Sequence, residues 1–439
     1  MRDAQLEADE ASRIVSARLG RPAQDAIEAA VVLEAWGGVP TVTALRLGAG
    51  IVPRDAQPAL PGRRRAPADA SDRESIVAEG IALLMAVLAI AAWAGPMSTQ
   101  LGAATLETAL AIALPVSLAL QWALRSRYLS RRGGLRLVAS DVVPLALLAV
   151  AIETLLIAIP RSGPIVTTLV AIWVGGTVLA RRGWGVAYGG LLMLEAVGLH
   201  AELSARLTLG CVAIVTVLAV AIAVHSSSTP SLEPPGNVRR ALTAAAVGGL
   251  LGGLLVGDMS LGWGVHGAFP ALALVPSVVG SFWGGYHLWR LHDEIPRGLL
   301  GVPLTEASGP IARSPLAAVA IGALVRLVAI TVLLSGLVLA AGIWTHGTDS
   351  PSVFVAFGCV ALVCLLVSLL ESLGCLRWAL LSAAAGLAVE LAANRWGGAA
   401  PPGAGLIAGS VVGSALATVP LVGLLRAPGR VLATALWIR

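Results

Sequence analysis

Between residues 76 and 425 the chain runs through twelve apolar stretches separated by short polar breaks. They lie at 76–95, 103–124, 138–159, 165–180, 184–200, 207–224, 241–257, 268–289, 316–343, 351–372, 376–394 and 403–425. A helix needs about 20 mostly apolar residues to cross the hydrocarbon core of a bilayer. The pattern therefore predicts an all-α polytopic membrane protein with twelve transmembrane helices.

Charge between the stretches sets the topology, because cytoplasmic loops retain Arg and Lys while translocated loops lose them. One side carries Arg125, Arg127, Arg131, Arg132, Arg136, Arg181, Arg182, Arg239, Arg240, Arg290, Arg297, Arg313, Arg377, Arg426, Arg430 and Arg439. The other side holds Arg161, Arg206 and Arg395. A wrong number of helices would scramble this alternation, so charge supports the count independently of hydropathy. Both termini are expected in the cytoplasm.

Composition restricts the function. With 57% hydrophobic residues and a mean hydropathy of +0.84, the chain lies far from a soluble globular mixture. All 30 basic residues are arginine. A Walker A loop needs Lys on the phosphates and a Schiff-base enzyme needs an amine, so neither chemistry is available. Uphill movement of a substrate would draw on an ion gradient, a substrate gradient or a partner subunit. Richness in Ala, Gly and Arg fits a GC-rich bacterial genome, and hence the plasma membrane.

Trp93, Trp263, Trp344 and Trp396 fall at predicted outer ends of spans, and Trp122, Trp184, Trp289, Trp378 and Trp437 at or near inner ends. This is the placement of an aromatic belt at the headgroup level. Cys211, Cys359 and Cys364 lie within spans and Cys375 just past one, with no CxxC pair. They read as small apolar packing residues rather than metal ligands. His287 and His292 are five positions apart and do not share a helical face. No nucleophile elbow or triad is present, and the predicted outer loops are short. The expectation is a protein that is not an enzyme, with no cofactor, no metal and no nucleic-acid partner.

Residues 1–75 form a polar tail, expected to be cytoplasmic, ending in a Pro-, Gly- and Arg-rich stretch with Arg63, Arg64 and Arg65. It begins acidic, unlike a secretory signal. Within it, 23–36 predicts a helix ended by Gly37 and Gly38. Ala30, Val31, Val32 and Leu33 are too apolar for a free helix, so docking is expected, and residues 1–36 are a candidate partner surface.

The linker-like stretch 226–240 divides the spans six and six, into lobes at 76–225 and 241–426, with a cytoplasmic tail at 427–439. LAIALPVSLALQW (110–122) and ALALVPSVVGSFW (271–283) pair Pro115 with Pro276 and Trp122 with Trp283 at one offset. Six helices per half make such a repeat parallel rather than inverted. WAGPMSTQLG…LPVSLALQWALRSRYLSRRGG (93–134) and LALVPSVVGSFWGGYHLWRLHDEIPRGL (272–299) resemble matching regions in the polysaccharide-exporter branch of the multidrug/oligosaccharide/polysaccharide flippase superfamily. The resemblance covers about a fifth of the chain. It implies a central cavity lined by helices one, two, seven and eight that opens alternately to either side. The major facilitator superfamily shares the topology, but SRRGGLR (130–136) lacks the acid that precedes its Arg and Gly residues.

Ionisable groups inside spans are costly and are functional candidates by default. Arg326 lies about ten residues into span nine, near the midplane at roughly 1.5 Å per residue. Glu195, Glu153 and Glu390 lie at comparable depth, and Asp258 closes span seven beside Gly257. Arg326 could contact an anionic substrate while a Glu relays protons, or an Arg–Glu pair could simply lock two helices. Asp141, Glu79 and Glu371 sit near span ends, where snorkelling or a helix-end role suffices. Gly249, Gly253 and Gly257 repeat every fourth residue, which suits close packing or a bending gate helix, with Pro115 and Pro276 as further hinge candidates. Gly405, Gly409 and Gly413 in span twelve predict packing alone. The sequence thus predicts a carrier or flippase for an amphiphilic or polymeric substrate, such as a lipid-linked glycan or exopolysaccharide. The alternative is a non-transporting scaffold subunit of a glycan-synthesis or secretion complex.

Overall fold

A computed structural model describes residues 2–19, 26–51, 68–127, 162–181, 183–225, 238–258, 351–372, 374–396 and 400–426, with single positions at 23 and between 325 and 340. Every regular element among them is a helix. The order is α1 (Arg2–Leu19), α2 (Ala26–Gly37), α3 (Thr41–Ile51), α4 (Ala68–Leu101), α5 (Ala103–Arg127), α6 (Gly163–Arg181), α7 (Gly185–His200) and α8 (Ala205–His225). Then follow α9 (Val238–Val256), α10 (Pro351–Ser372), α11 (Leu376–Trp396) and α12 (Ala404–Arg426). Helices suit a bilayer because they satisfy every backbone N–H and C=O within the segment.

Helices α4 to α12 follow nine of the predicted spans, and seven of them are long and apolar enough to cross a membrane. Helix α7 is apolar but shorter. The protein is a multi-pass membrane protein, all-helical among the described residues. Predicted spans 138–159 and 268–289 and most of 316–343 lie outside the described residues, as do most of the linker 226–240 and the tail 427–439. Leu207, Ile214, Leu218 and Ile222 form an exposed apolar stripe along α8, the face a lipid-contacting helix presents.

The helices share one continuous core drawn from α4 to α12, with Phe357, Leu106, Leu169, Leu254 and Leu370 among its fully buried side chains. Helix α5 packs along α9, α4 along α7, and α11 along α12. Two connections are built alike. After α6, Gly183 N–H donates to Ala180 O and Trp184 N–H to Leu179 O; after α10, Gly374 N–H donates to Glu371 O and Cys375 N–H to Leu370 O. Both are Schellman caps, and both glycines adopt φ +77°, a left-handed backbone that a Cβ would penalise. The following helices then pack equivalently, α7 on α4 and α11 on α9, while α8 packs on α6 and α12 on α10.

The tail forms its own small bundle of α1, α2 and α3, with Ala11, Val15, Ala29, Ala30, Val32, Leu33 and Ala44 in its core. Five consecutive residues of α2, Ala29 to Leu33, are buried. At 3.6 residues per turn they cover every face of the helix, so α2 is enclosed. Val31 explains how: it belongs to the core of the membrane helices rather than to the tail core. The apolar surface that predicted docking is therefore covered within the chain. Val31→Asp is expected to undock the bundle at a cost of roughly 1–3 kcal/mol. Faster amide hydrogen exchange across α1 to α3 would register this; unchanged exchange would show that Val31 is not the anchor.

Candidate functional site

Helices α9 and α11 run parallel, as the neighbours Gly253 with Leu387 and Gly257 with Glu390 establish. Helix α12 runs antiparallel to α11, close enough that a Cβ on Gly409 would collide with the carbonyl oxygen of Gly386. Gly409 and Gly413 thus do the packing their spacing predicts, while Gly405 makes room for the Asn394 side chain. Where the three helices meet, Glu390 is 0% exposed. A Cβ on Gly257 would lie 2.6 Å from its Oε2, and one on Gly409 would lie 2.9 Å from its Cβ.

The surroundings of Glu390 are polar but incomplete. Asp258, 3% exposed, has its carboxylate and its backbone N–H beside the Glu390 carboxyl. No hydrogen bond of ordinary geometry reaches either Glu390 oxygen among the described residues. Asp258 Oδ2 accepts from Gly403 N–H at 3.1 Å, and Asn394 Nδ2 donates to Gly257 O at 3.1 Å, so the frame is fixed. The hydroxyls of Ser382 and Ser410, on the same two helices, are also buried without partners among the described residues. A carboxyl buried this deeply beside a second carboxylate is costly, and such an exception calls for a reason.

A counterpart sits in the first half, with a different outcome. Glu195 on α7, 5% exposed, faces α4, and its Oε1 accepts from Trp93 Nε1 at 3.1 Å. One turn later His200 Nε2 lies 3.1 Å from Ala92 O, as Asn394 does to Gly257 O. Gln100 ties the turn after α7 to α4 by accepting from Ala205 N–H at 2.7 Å and donating to Leu203 O at 3.1 Å. Each set of helices therefore holds a buried carboxyl on the helix that follows its Schellman cap, Glu195 on α7 with an indole donor and Glu390 on α11 with no side-chain donor among the described residues.

The structure distributes the other candidates as follows. Pro115 lies within an unbroken α5, and a Cβ on Gly252 would come within 2.5 Å of its Cα. Gly249 faces Ala119 at ordinary contact distance. The closest approach of α9 to α5 is made by Gly248 and Gly252, one residue before each of the predicted pair. Arg326, Glu153 and Pro276 lie outside the described residues. Three expectations change. Glu371 does not snorkel: it is 7% exposed and pairs with Arg125. Trp122 is buried against α9 rather than set in a lipid-facing belt, and the Trp93 indole engages Glu195. Asn394 was not singled out from sequence; its one signal is its position, one turn after a membrane-embedded Glu.

No family model matches the chain, and no curated protein does. Two solved structures are similar in outline, each at 14% identity, covering 83% of this chain and 96% of the other. One is the outward-facing conformation of a multidrug resistance MATE family transporter of the MOP superfamily, at a TM-score of 0.42. The other is a MOP superfamily transporter from Pyrococcus furiosus, at a TM-score of 0.39.

Proposed function

We propose that this protein is a cation-coupled membrane carrier that moves an amphiphilic or polymeric substrate, such as a lipid-linked glycan, by alternating access. In this reading twelve spans form two six-helix lobes with both termini in the cytoplasm. The observation that carries it is Glu390, fully buried with the Asp258 carboxylate beside it, in a frame fixed by Asp258 and Asn394, and with no side-chain donor on either oxygen among the described residues. A carboxyl held this way takes a proton or a small cation readily, and the chain offers no lysine-based chemistry to supply energy otherwise. The matching caps and helix pairings of the two halves support a parallel repeat. Such a repeat lets one half rock against the other around α5 and α9.

The test is labelling of single cysteines placed along α4, α5 and α9, in a background without the four native cysteines, by a membrane-impermeant maleimide from each face. Accessibility that swaps sides with pH or with Na+ supports the carrier. Uniform protection in every condition overturns it and favours the scaffold reading, for which the docked α1–α3 bundle is the supporting observation.

A further inference from the structure

At the end of the bundle where α5 and α10 finish, elements from both proposed lobes are tied together. Arg125, in the last turn of α5, pairs through Nη2 with Oε2 of Glu371 in the last turn of α10, 246 positions away. The guanidinium carbon of Arg125 stands 4.7 Å from the centroid of the Trp122 ring, a cation–π distance. The ring in turn lies against Gly248 of α9, where a Cβ would come within 2.9 Å of its Cγ and 2.5 Å of the Leu118 carbonyl oxygen. At this end α5 is thus bound to α9 by backbone-close packing and to α10 by charge. At the opposite end the hydrogen bonds joining Asn394 to Gly257, Gly403 to Asp258, Gln100 to Leu203 and His200 to Ala92 each stay within one half.

We infer that Arg125, Trp122 and Glu371 form an inter-lobe latch that holds this end of the transport path shut, an inference that rests on the carrier reading above. Exposed ion pairs contribute little; here the Arg125 side chain is 38% exposed but Glu371 is buried. Removing its partner leaves an uncompensated charge in the closed arrangement, a large penalty that water relieves once the end opens. The pair therefore biases an equilibrium between two arrangements rather than only adding stability. Antiparallel packing of α5 on α9 puts the latch at the end opposite Glu390. Opening here and exposure of the carboxyl site would belong to different states.

The experiment is a spin–spin distance measurement in lipid nanodiscs. Labels go on Trp184→Cys and Trp378→Cys, both exposed at the latch end, one at the start of α7 and one in the first turn of α11. The parent should give one short distance. Arg125→Ala and Glu371→Gln should each raise the share of a longer distance about tenfold or more. The charge-swapped double variant Arg125→Glu/Glu371→Arg should restore the parent distribution. Arg125→Lys, which keeps the charge and loses the planar fork, should lie between and serves if Arg125→Ala does not fold. Unchanged distances in these variants, with cysteine labelling that still alternates, would overturn the latch and leave the carrier standing. Loss of thermal stability with unchanged distances and no rescue would also overturn it, reducing the pair to a structural tie. Absence of movement in both assays would overturn latch and carrier together.

Discussion

Glu390→Gln is expected to abolish the response of this protein to cations while leaving it folded. Gln keeps the shape of the side chain between Gly257 and Gly409 but cannot carry charge or exchange a proton. In the parent, adding Na+ at fixed pH, or lowering pH without Na+, should change the labelling rate of a cysteine on α5. The two arms identify which cation the carboxyl takes. Coupling between sites spans about 5- to 150-fold, so the parent response should fall in that range and the variant response should vanish. Glu195→Gln is the control: its carbonyl oxygen can still accept the Trp93 indole hydrogen, and a change of less than about threefold, well under that coupling range, is expected. A full response in Glu390→Gln would remove Glu390 from the mechanism. Equal loss in both variants would mean that the two carboxyls act as a unit.

The second large effect is expected at Gly252. A Cβ there would meet Pro115 Cα at 2.5 Å and Pro115 N at 2.8 Å, backbone atoms that cannot rotate away. Overpacking a tight contact costs about 1–3 kcal/mol and sometimes more. Gly252→Val should therefore reach about 3 kcal/mol and separate α5 from α9, with a clear fall in thermal midpoint in detergent. Gly249→Ala has an ordinary 3.6 Å neighbour in Ala119 and should be neutral or slightly stabilising, since Ala exceeds Gly in helix propensity by about 1 kcal/mol. Equal tolerance of the two substitutions would show that α9 does not press on α5 through this face.

These glycines mark where sequence reading stops. Span seven carries GGLLGGLLVG, so two four-residue ladders of glycine exist side by side. Spacing alone does not say which ladder meets a neighbour. In the fold, Gly248 and Gly252 face α5, whereas Gly253 and Gly257 face α11. A soluble helix would have revealed its buried face through polar residues on the other side. Here lipid and protein are both apolar partners, so the pattern around the helix carries no such mark.

The same limit applied to the site. Sequence singled out Glu390, Glu195 and Asp258 because ionisable residues in an apolar run are costly wherever the helix turns. It could not tell that Trp93 donates to Glu195 while no side chain among the described residues donates to Glu390, since Trp93 and Glu195 are 102 positions apart. Nor could it pair Arg125 with Glu371, each of which read as an ordinary charge at a span end. What the sequence determined by itself was the membrane class, the helical character of the described spans and the need of the apolar α2 for a covering surface. Each follows from transfer of apolar surface and backbone out of water, a property of local composition. Only the tertiary structure decided which glycine faces meet, which carboxyl gains an indole donor, and which charges pair across 246 positions, because those depend on contacts between distant segments.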